Sequence, residues 1–430
     1  MAAGSDSQES LVKALRHPRL WVAPIVVVGI MMSLLATLYL GSVLDPSDNL
    51  HDFPIALVNQ DEGEVLDDGT RQLVGDQIVA GLVDNVPKDK VDLQQIGWAQ
   101  ADSLMRDGKL YGAIVIPSDF TKRLLILAKA SVAAGDVEKP VLTVYANPRA
   151  GTYAGAIVGQ IGEQAMARVN KTVGENVVKQ VNQQVPPEQL SGASRLVLAE
   201  PINVRDVQFN PLPAKTGTGL SAFYYTLLLV LAGFTGAMII HSLVDSHFGF
   251  APTEYGPWYV HEPNVGLGRF HTLLVKWVIV GAMSVIVSAI YVGIGRLLGM
   301  PMDHAWLLFL FGTFAIFAIG VTATSVLALF GTSGLLVNLI VFIVLGLPSS
   351  GATVPIEASP RFFAWLAEFE PMHQVYLGVR AILYFDARGN AGLQHGAWMT
   401  LLGLVIGVVV GVVSTRLYDR RGYTRAPRTA

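Results

Sequence analysis

Apolar residues gather along the chain in six long blocks, and a long stretch between the first and second block shows shorter, mixed periodicities. An α-helix rises about 1.5 Å per residue, so about 20 apolar residues cross a hydrocarbon core of about 30 Å. The qualifying blocks are residues 20–40, 220–244, 272–295, 304–330, 335–347 with its flanks, and 397–413. The first has no small-residue cleavage site behind it and reads as a retained anchor rather than a removed signal. The expected fold is therefore an α-helical polytopic membrane protein of about six transmembrane helices with an inserted α+β domain. Its divisions are a tail at 1–19, a first span at 20–42, the domain at 43–218, five further spans within 219–415, and a basic tail at 416–430.

Inside the insert, residues 54–59 (PIALVN) form a short strand pattern that stops at the polar turn 60–63. Helical patterns follow at 70–83 and 99–106, a buried strand at 110–117, and a helix at 118–130 with Ser118 or Asp119 near its cap. A strand at 141–145 precedes a long helix at 152–183, which Pro186 and Pro187 end, and a last strand at 204–209 leads to the linker 210–219. Asp61, Glu62, Glu64, Asp67 and Asp68 cluster at the first turn, without the spacing or terminal ligand of an EF-hand; the expectation is a solvated turn and no metal. Asn170-Lys171-Thr172 is a formal glycosylation sequon with no context to give it weight.

Charge adds an orientation. Lys13, Arg16 and Arg19 precede the first span, and Arg416, Arg420, Arg421, Arg425 and Arg428 follow the last. The positive-inside rule places both termini in the cytoplasm of a cell membrane, which requires an even number of spans and an extracytoplasmic insert. Of the 430 residues 52% are apolar and 15% charged, and mean hydropathy is +0.46, as a bilayer solvent demands. Residues 44–220 hold 22 acidic and 16 basic side chains, a balance of −6 against −3 for the whole chain, which argues against a nucleic-acid partner. With no cysteine, disulfides, thiolate metal sites and cysteine nucleophiles are excluded.

Catalytic signatures are missing where a membrane enzyme or ATPase needs them. There is no phosphate-cradling G-x-x-x-x-G-K-[ST], since Ala214-Lys215-Thr216-Gly217 lacks the glycine frame, and no H-E-x-x-H or G-x-S-x-G. Nine scattered histidines suggest no ligand set, so no catalytic residue, cofactor or metal site is expected. No Asp or Glu falls mid-span, which disfavours proton coupling; Lys276 is expected to snorkel and Asn338 to make an interhelical hydrogen bond. Gly403, Gly407 and Gly411 line one face of the last span as a double G-x-x-x-G seam for another helix, in this chain or a second copy. Between the last two spans, the segment around 348–390 alternates proline breaks with helix signals. Phe362, Phe363, Trp365 and Tyr376 suit it to a helical hairpin or an interfacial helix at the outer leaflet.

Three stretches are shared with a known group: residues 53–63 (FPIALVNQDEG), 110–121 (LYGAIVIPSDFT), and the turn 348–351 (PSSG) followed by 371–380 (PMHQVYLGVR). On these the chain resembles the YhgE/Pip (phage infection protein) group, with the yeast nitrosoguanidine-resistance protein among its relatives, in the ABC-2-type membrane protein superfamily. The resemblance implies a six-span permease-like unit, usually dimeric, with a re-entrant or interfacial segment before span six. Pro348, Gly351, Pro371 and Arg380 mark that segment here. It further implies that the loop after span two meets a separate ABC ATPase, with Glu254, Glu262 and Arg269 as the charged contacts. The expected function is export of amphipathic or lipid-like compounds, with membrane lipids, an ATPase subunit and a second copy as partners. The alternative is a non-transporting receptor or assembly protein of the cell envelope.

Overall fold

The computed structural model describes residues 18–66, 69–130, 138–184, 192–423 and 425. Expectations resting on Lys13, Arg16, Asp67, Asp68, Pro186, Pro187 and Arg428 fall outside these. Helix α1 (Pro18–Val43) leads into the inserted domain, which runs β1 (Phe53–Asn59), β2 (Glu64–Val65), β3 (Arg71–Gln72), α2 (Val74–Asn85), β4 (Val91–Gln95), α3 (Trp98–Arg106), β5 (Gly112–Ile116), α4 (Phe120–Ala130), β6 (Val141–Ala146), α5 (Thr152–Gln184), α6 (Gly192–Ala199) and β7 (Asn203–Gln208). The bundle follows with α7 (Leu220–His247), the hairpin β8 (Thr253–Tyr255) and β9 (Trp258–Val260), α8 (Arg269–Leu297), α9 (Ala305–Phe330), α10 (Gly334–Leu339), α11 (Arg361–Ala367), α12 (Pro371–Tyr384) and α13 (Leu393–Arg420).

The domain's main sheet has the order β4-β1-β5-β6-β7, with β1 parallel to β4 and β5, β5 antiparallel to β6, and β6 parallel to β7. Successive side chains of a strand point to opposite faces, which sorts β1 into two cores. Phe53, Ile55 and Leu57 pack with Ile78 and Leu82 of α2, Phe120 and Leu124 of α4, and Val158 of α5. Ala56 and Val58 face the other way, onto Ala101 and Met105 of α3. All five residues of β5 are buried, as expected of a strand covered on both faces. Sequence pattern missed β4, whose VDLQQ is polar because it is an edge strand.

The acidic turn is not simply solvated. Asp61 Oδ1 accepts from Thr121 N at 3.0 Å and Oδ2 from Gly75 N at 2.9 Å, so one carboxylate holds the N-terminal turns of both α2 and α4. Thr121 Oγ1 donates to Asp61 Oδ2 and accepts from Val74 N at 2.9 Å. Each helix start presents unpaired amides, and a single anion at the end of β1 answers both. This corrects the reading of Asp61 as a turn residue; Glu62 beside it is exposed.

Among the described residues, five helical runs are long and apolar enough to span a membrane: residues 25–43 of α1, then α7, α8, a run from Ala305 to Val344, and α13. That fourth run reverses at Gly331–Ser333, because Asn338 Nδ2 on α10 reaches back to the carbonyl of Ala323 at 3.0 Å. The sixth span expected at 335–347 is therefore a half-length element, six residues of α10 and a π turn over Ile340–Val344. Eleven residues rise about 16 Å, half of a bilayer core. Beyond it the chain turns at Pro348, climbs to the domain at Glu357, re-enters through α11 and returns through α12. Both described termini lie at the end of the bundle away from the domain, here termed the tail end.

Replacing Asp61 by Ala is expected to cost about 2–3 kcal/mol, the sum of two lost caps and a charge-assisted bond, read as denaturant unfolding of the full chain in detergent. Glu62→Ala, at the neighbouring exposed position, should stay within about 0.5 kcal/mol.

Candidate functional site

Helix α12 begins against packed helices, with its first residues buried. Pro371 has no amide to satisfy, and Glu370 Oε2 accepts from Met372 N at 2.7 Å and His373 N at 3.1 Å. The Glu370 amide donates to the Leu366 carbonyl at 3.0 Å, so all four orphan positions are answered, and the Gln374 amide makes the first intrahelical bond, to the Glu370 carbonyl at 3.3 Å. Glu370 is 3% exposed, and its Oε1 has no partner among the described residues. Gln374 Nε2 closes the hairpin by donating to the carbonyls of Ala367 and Glu368 at 2.8 and 2.9 Å.

The half-span α10 arrives at the same depth from the tail end. A Cβ on Gly346 would lie 3.0 Å from Glu370 Oε1 and 3.2 Å from Met372 Cβ, so the two half-helices meet head to head. Ser349 Oγ and Ser350 Oγ donate to the carbonyls of Leu345 and Leu347, and His373 Nδ1 bonds the Ser350 carbonyl at 2.8 Å. Gly351 adopts φ +68° in the turn that Pro348 opens, against the His373 ring. Pro348, Gly351 and Pro371 are thus the lips of an interrupted span. Helix α12 is packed inside the bundle, whereas Arg361, Phe362 and Trp365 on α11, and Glu368 and Phe369 just after it, are exposed.

From the break, α12 carries the connection to the domain. Arg380 Nη1 donates to the Ala150 carbonyl at 2.8 Å, and its guanidinium lies over Tyr376 and Phe385. Tyr384 Oη bonds Ser221 Oγ, the Ala222 amide and the Gly219 carbonyl, fixing the start of α7. Arg149 donates to the carbonyls of Asn210 and Tyr384, each at 2.8 Å. Tyr111 Oη donates to Glu357 Oε2 at 2.7 Å; burial pushes this phenol well above its ordinary pKa, so it stays a neutral donor.

A second cluster closes the tail end. Asp245 Oδ1 accepts from Lys276 Nζ at 2.6 Å and Arg425 Nη1 at 2.8 Å, and His241 Nε2 lies 3.3 Å from Oδ2. Lys276, 2% exposed, does not snorkel; α7 turns Asp245 towards it and makes the ion pair internal. Asp419 near the end of α13 accepts from the first amides of α8, Arg269 N at 2.8 Å and Phe270 N at 3.0 Å. Of the loop residues singled out from sequence, Arg269 anchors this corner, its Nε donating to the Tyr423 carbonyl at 2.9 Å. Glu254 on β8 and Glu262 after β9 are exposed and outside the ion cluster.

The glycine seam is intrachain at two of its three positions. A Cβ on Gly407 would run into Thr322 of α9, and one on Gly411 would come within 2.6 Å of Ser325 Oγ and 2.9 Å of Trp277. Gly403 has open space around it, and its carbonyl accepts from Thr322 Oγ1 at 3.3 Å. Sequence reasoning missed Glu370, Asp245 and the role of Arg425. The signals were there in part, in Glu370-Pro371 as an N-cap pair and His241/Asp245 one helical turn apart.

Taken together this is a multi-pass membrane protein with a mixed-sheet domain inserted after its first span. The chain belongs to the family described as protein of unknown function DUF3533, whose profile matches residues 24–407. It is also similar to the uncharacterized protein YhgE of Bacillus subtilis (strain 168), 27% identical over 157 residues. That match covers 36% of this chain and 19% of YhgE, so the chain spans about a fifth of the relative's length, and it bears out the resemblance to the YhgE/Pip group. A crystal structure of a domain assigned to an ABC type-2 transporter from Thermotoga maritima MSB8 shares 14% identity over 36% of this chain and 85% of that one. Its TM-score of 0.23 carries no weight for fold or function.

Adding a methyl group should separate the three glycines of α13. Gly407→Ala and Gly411→Ala are expected to destabilise by about 1–3 kcal/mol through overpacking. Gly403→Ala should be neutral or gain up to about 1 kcal/mol of helix propensity, all read as unfolding of the purified chain in mixed detergent micelles.

Proposed function

We propose that the chain is the permease of an export system for amphipathic or lipid-like compounds, with ATP hydrolysis supplied by a separate subunit and no enzymatic activity of its own. What supports this most directly is the interrupted span. A buried carboxylate between two facing half-helix ends is costly unless used, and transport proteins place moving or binding elements at such breaks. The positive-inside rule, applied to Arg416, Arg420 and Arg421, supports a cytoplasmic tail end and a domain outside. The loop 248–268, which carries Glu254 and Glu262 on its exposed surface, is then the contact for the ATPase.

The geometry gives such a contact a route to the break. Asp245, Lys276, Arg425 and Asp419 tie α7, α8 and the end of α13 into one corner, so a push on the loop displaces all three. Helix α13 crosses α12 so closely that a Cβ on Gly396 would collide with the Gln374 carbonyl. Tilting α13 therefore shifts α12 against α10 and loosens the contact between Glu370 and Gly346, while Arg380 and Tyr384 pass the motion to the domain. Substrate enters from the bilayer between spans and leaves beneath the domain. A dimer of such units is the expected assembly.

The test uses cells producing the chain together with its native partner proteins, loaded with a panel of amphipathic fluorescent compounds. Glu370→Gln keeps an amide oxygen to cap α12, and is expected to leave the protein folded and slow efflux by about tenfold or more, about 1.4 kcal/mol on the barrier. A photocrosslinker at Glu254 or Glu262 should capture an ATPase whose turnover depends on this chain. Unchanged efflux in Glu370→Gln together with envelope proteins alone captured through the domain would establish the receptor or assembly reading instead.

A further inference from the structure

The tail-end corner borders a cleft of about 1210 Å³, walled by α7, the end of α9, and the segment after α13. Its charges do not balance. Asp245 is shared by Lys276 and Arg425, so one of these two cations is in excess. Arg269 adds another, and Asp419, the acid nearest it, has both oxygens occupied by the first amides of α8. Glu262 is the one other acid on the wall. Among the described residues, Arg269 spends only Nε on a hydrogen bond, to the Tyr423 carbonyl, and Arg425 only Nη1, to Asp245. Both guanidiniums thus retain donors, and each is braced by an aromatic ring, Arg269 at 5.5 Å from Tyr418 and Arg425 at 4.7 Å from Phe250.

The opposite wall is apolar. Leu327 and Leu329 line the cleft, and Phe330, 52% exposed, stands beside it at the turn where α9 gives way to α10. A pair of held guanidiniums facing a hydrocarbon wall at the end of a membrane bundle matches a ligand with an anionic head and an apolar tail. We propose that this cleft binds the phosphate-bearing head of an anionic amphiphile between Arg269 and Arg425, with its apolar chain along Phe330. The inference rests on the export reading only in naming such a molecule as cargo; occupancy of the cleft needs neither an ATPase nor transport. The anionic lipids of a cytoplasmic leaflet would supply ligands of this kind at the required depth.

The experiment titrates the full chain, purified in a neutral maltoside, with dihexanoyl phosphatidic acid below its micellar concentration, by calorimetry. Saturable binding is expected, at least about tenfold weaker in Arg425→Gln, a loss within the range of one charge-assisted hydrogen bond. Arg269→Gln should act in the same direction, and Glu262→Gln should tighten binding by about twofold or more as an opposing charge is removed. Arg425 lies beyond the last helix, so its variant decides the matter if Arg269→Gln fails to fold. Dihexanoyl phosphatidylcholine should bind at least about tenfold more weakly than the acid, since its head carries no net charge. Equal affinity for inorganic phosphate would make the cleft a free-anion site and overturn the amphiphile. No saturable binding, or binding indifferent to Arg425→Gln, would overturn the site altogether. Because efflux is not measured, a failure here leaves the export reading standing, and a failure of efflux leaves this one.

Discussion

A helix that begins inside a membrane bundle exposes backbone amides where no water can reach them, and every unanswered group there costs several kcal/mol. The architecture of this chain turns on how that cost is met at Glu370. Its carboxylate, its carbonyl and the missing amide of Pro371 together satisfy the start of α12, while Ser349 and Ser350 satisfy the end of α10 from the other side. With both ends closed, a span can be cut in two without unravelling. The second half is then free to run from the break to the domain, where Arg380 and Tyr384 lock it to Ala150 and to the start of α7.

The two polar clusters have different characters. At the break the groups are buried and mostly satisfied, with Glu370 Oε1 beside Gly346 and Gln374 Oε1 left without partners among the described residues. At the tail end the cluster is partly open and carries more cation than anion. The first suits an element whose two halves can part and rejoin; the second suits a handle that can be loaded by charge. They are connected by packed helices, α13 against α12 through Gly396 and against α9 through Gly407. Closely packed contacts of this kind shift between discrete arrangements and do not stretch continuously, so displacement at one end is felt at the other.

The same economy holds the domain together. Asp61 at the end of β1 anchors two helices at once, which explains why the stretch FPIALVNQDEG is a unit: the apolar half is a buried strand and the polar half is the cap of α2 and α4. The stretches PSSG and PMHQVYLGVR are a unit in the same sense. They lie about twenty residues apart in sequence and form the two facing ends of the broken span.

Hydrophobic period and length alone determined that this is a membrane protein, where its long helices lie, and that a mixed α and β domain interrupts them after the first, because each depends only on residues near one another in the chain. Pro348, Gly351, Pro371 and Asn338 were legible as positions of special backbone or polar need for the same reason. What the sequence could not decide was where those positions meet. The stretch 335–347 is apolar enough to read as a span, and only the bond from Asn338 to Ala323 and the encounter with Met372 make it half of one. Glu370 lies between aromatic, interfacial-looking residues, and only the tertiary packing around the start of α12 buries it. Lys276 has the length to snorkel, and only the arrival of Asp245 and Arg425 from two other segments makes burial the lower-energy state. Charge and amide satisfaction over such separations depends on tertiary neighbours that local periodicity does not encode.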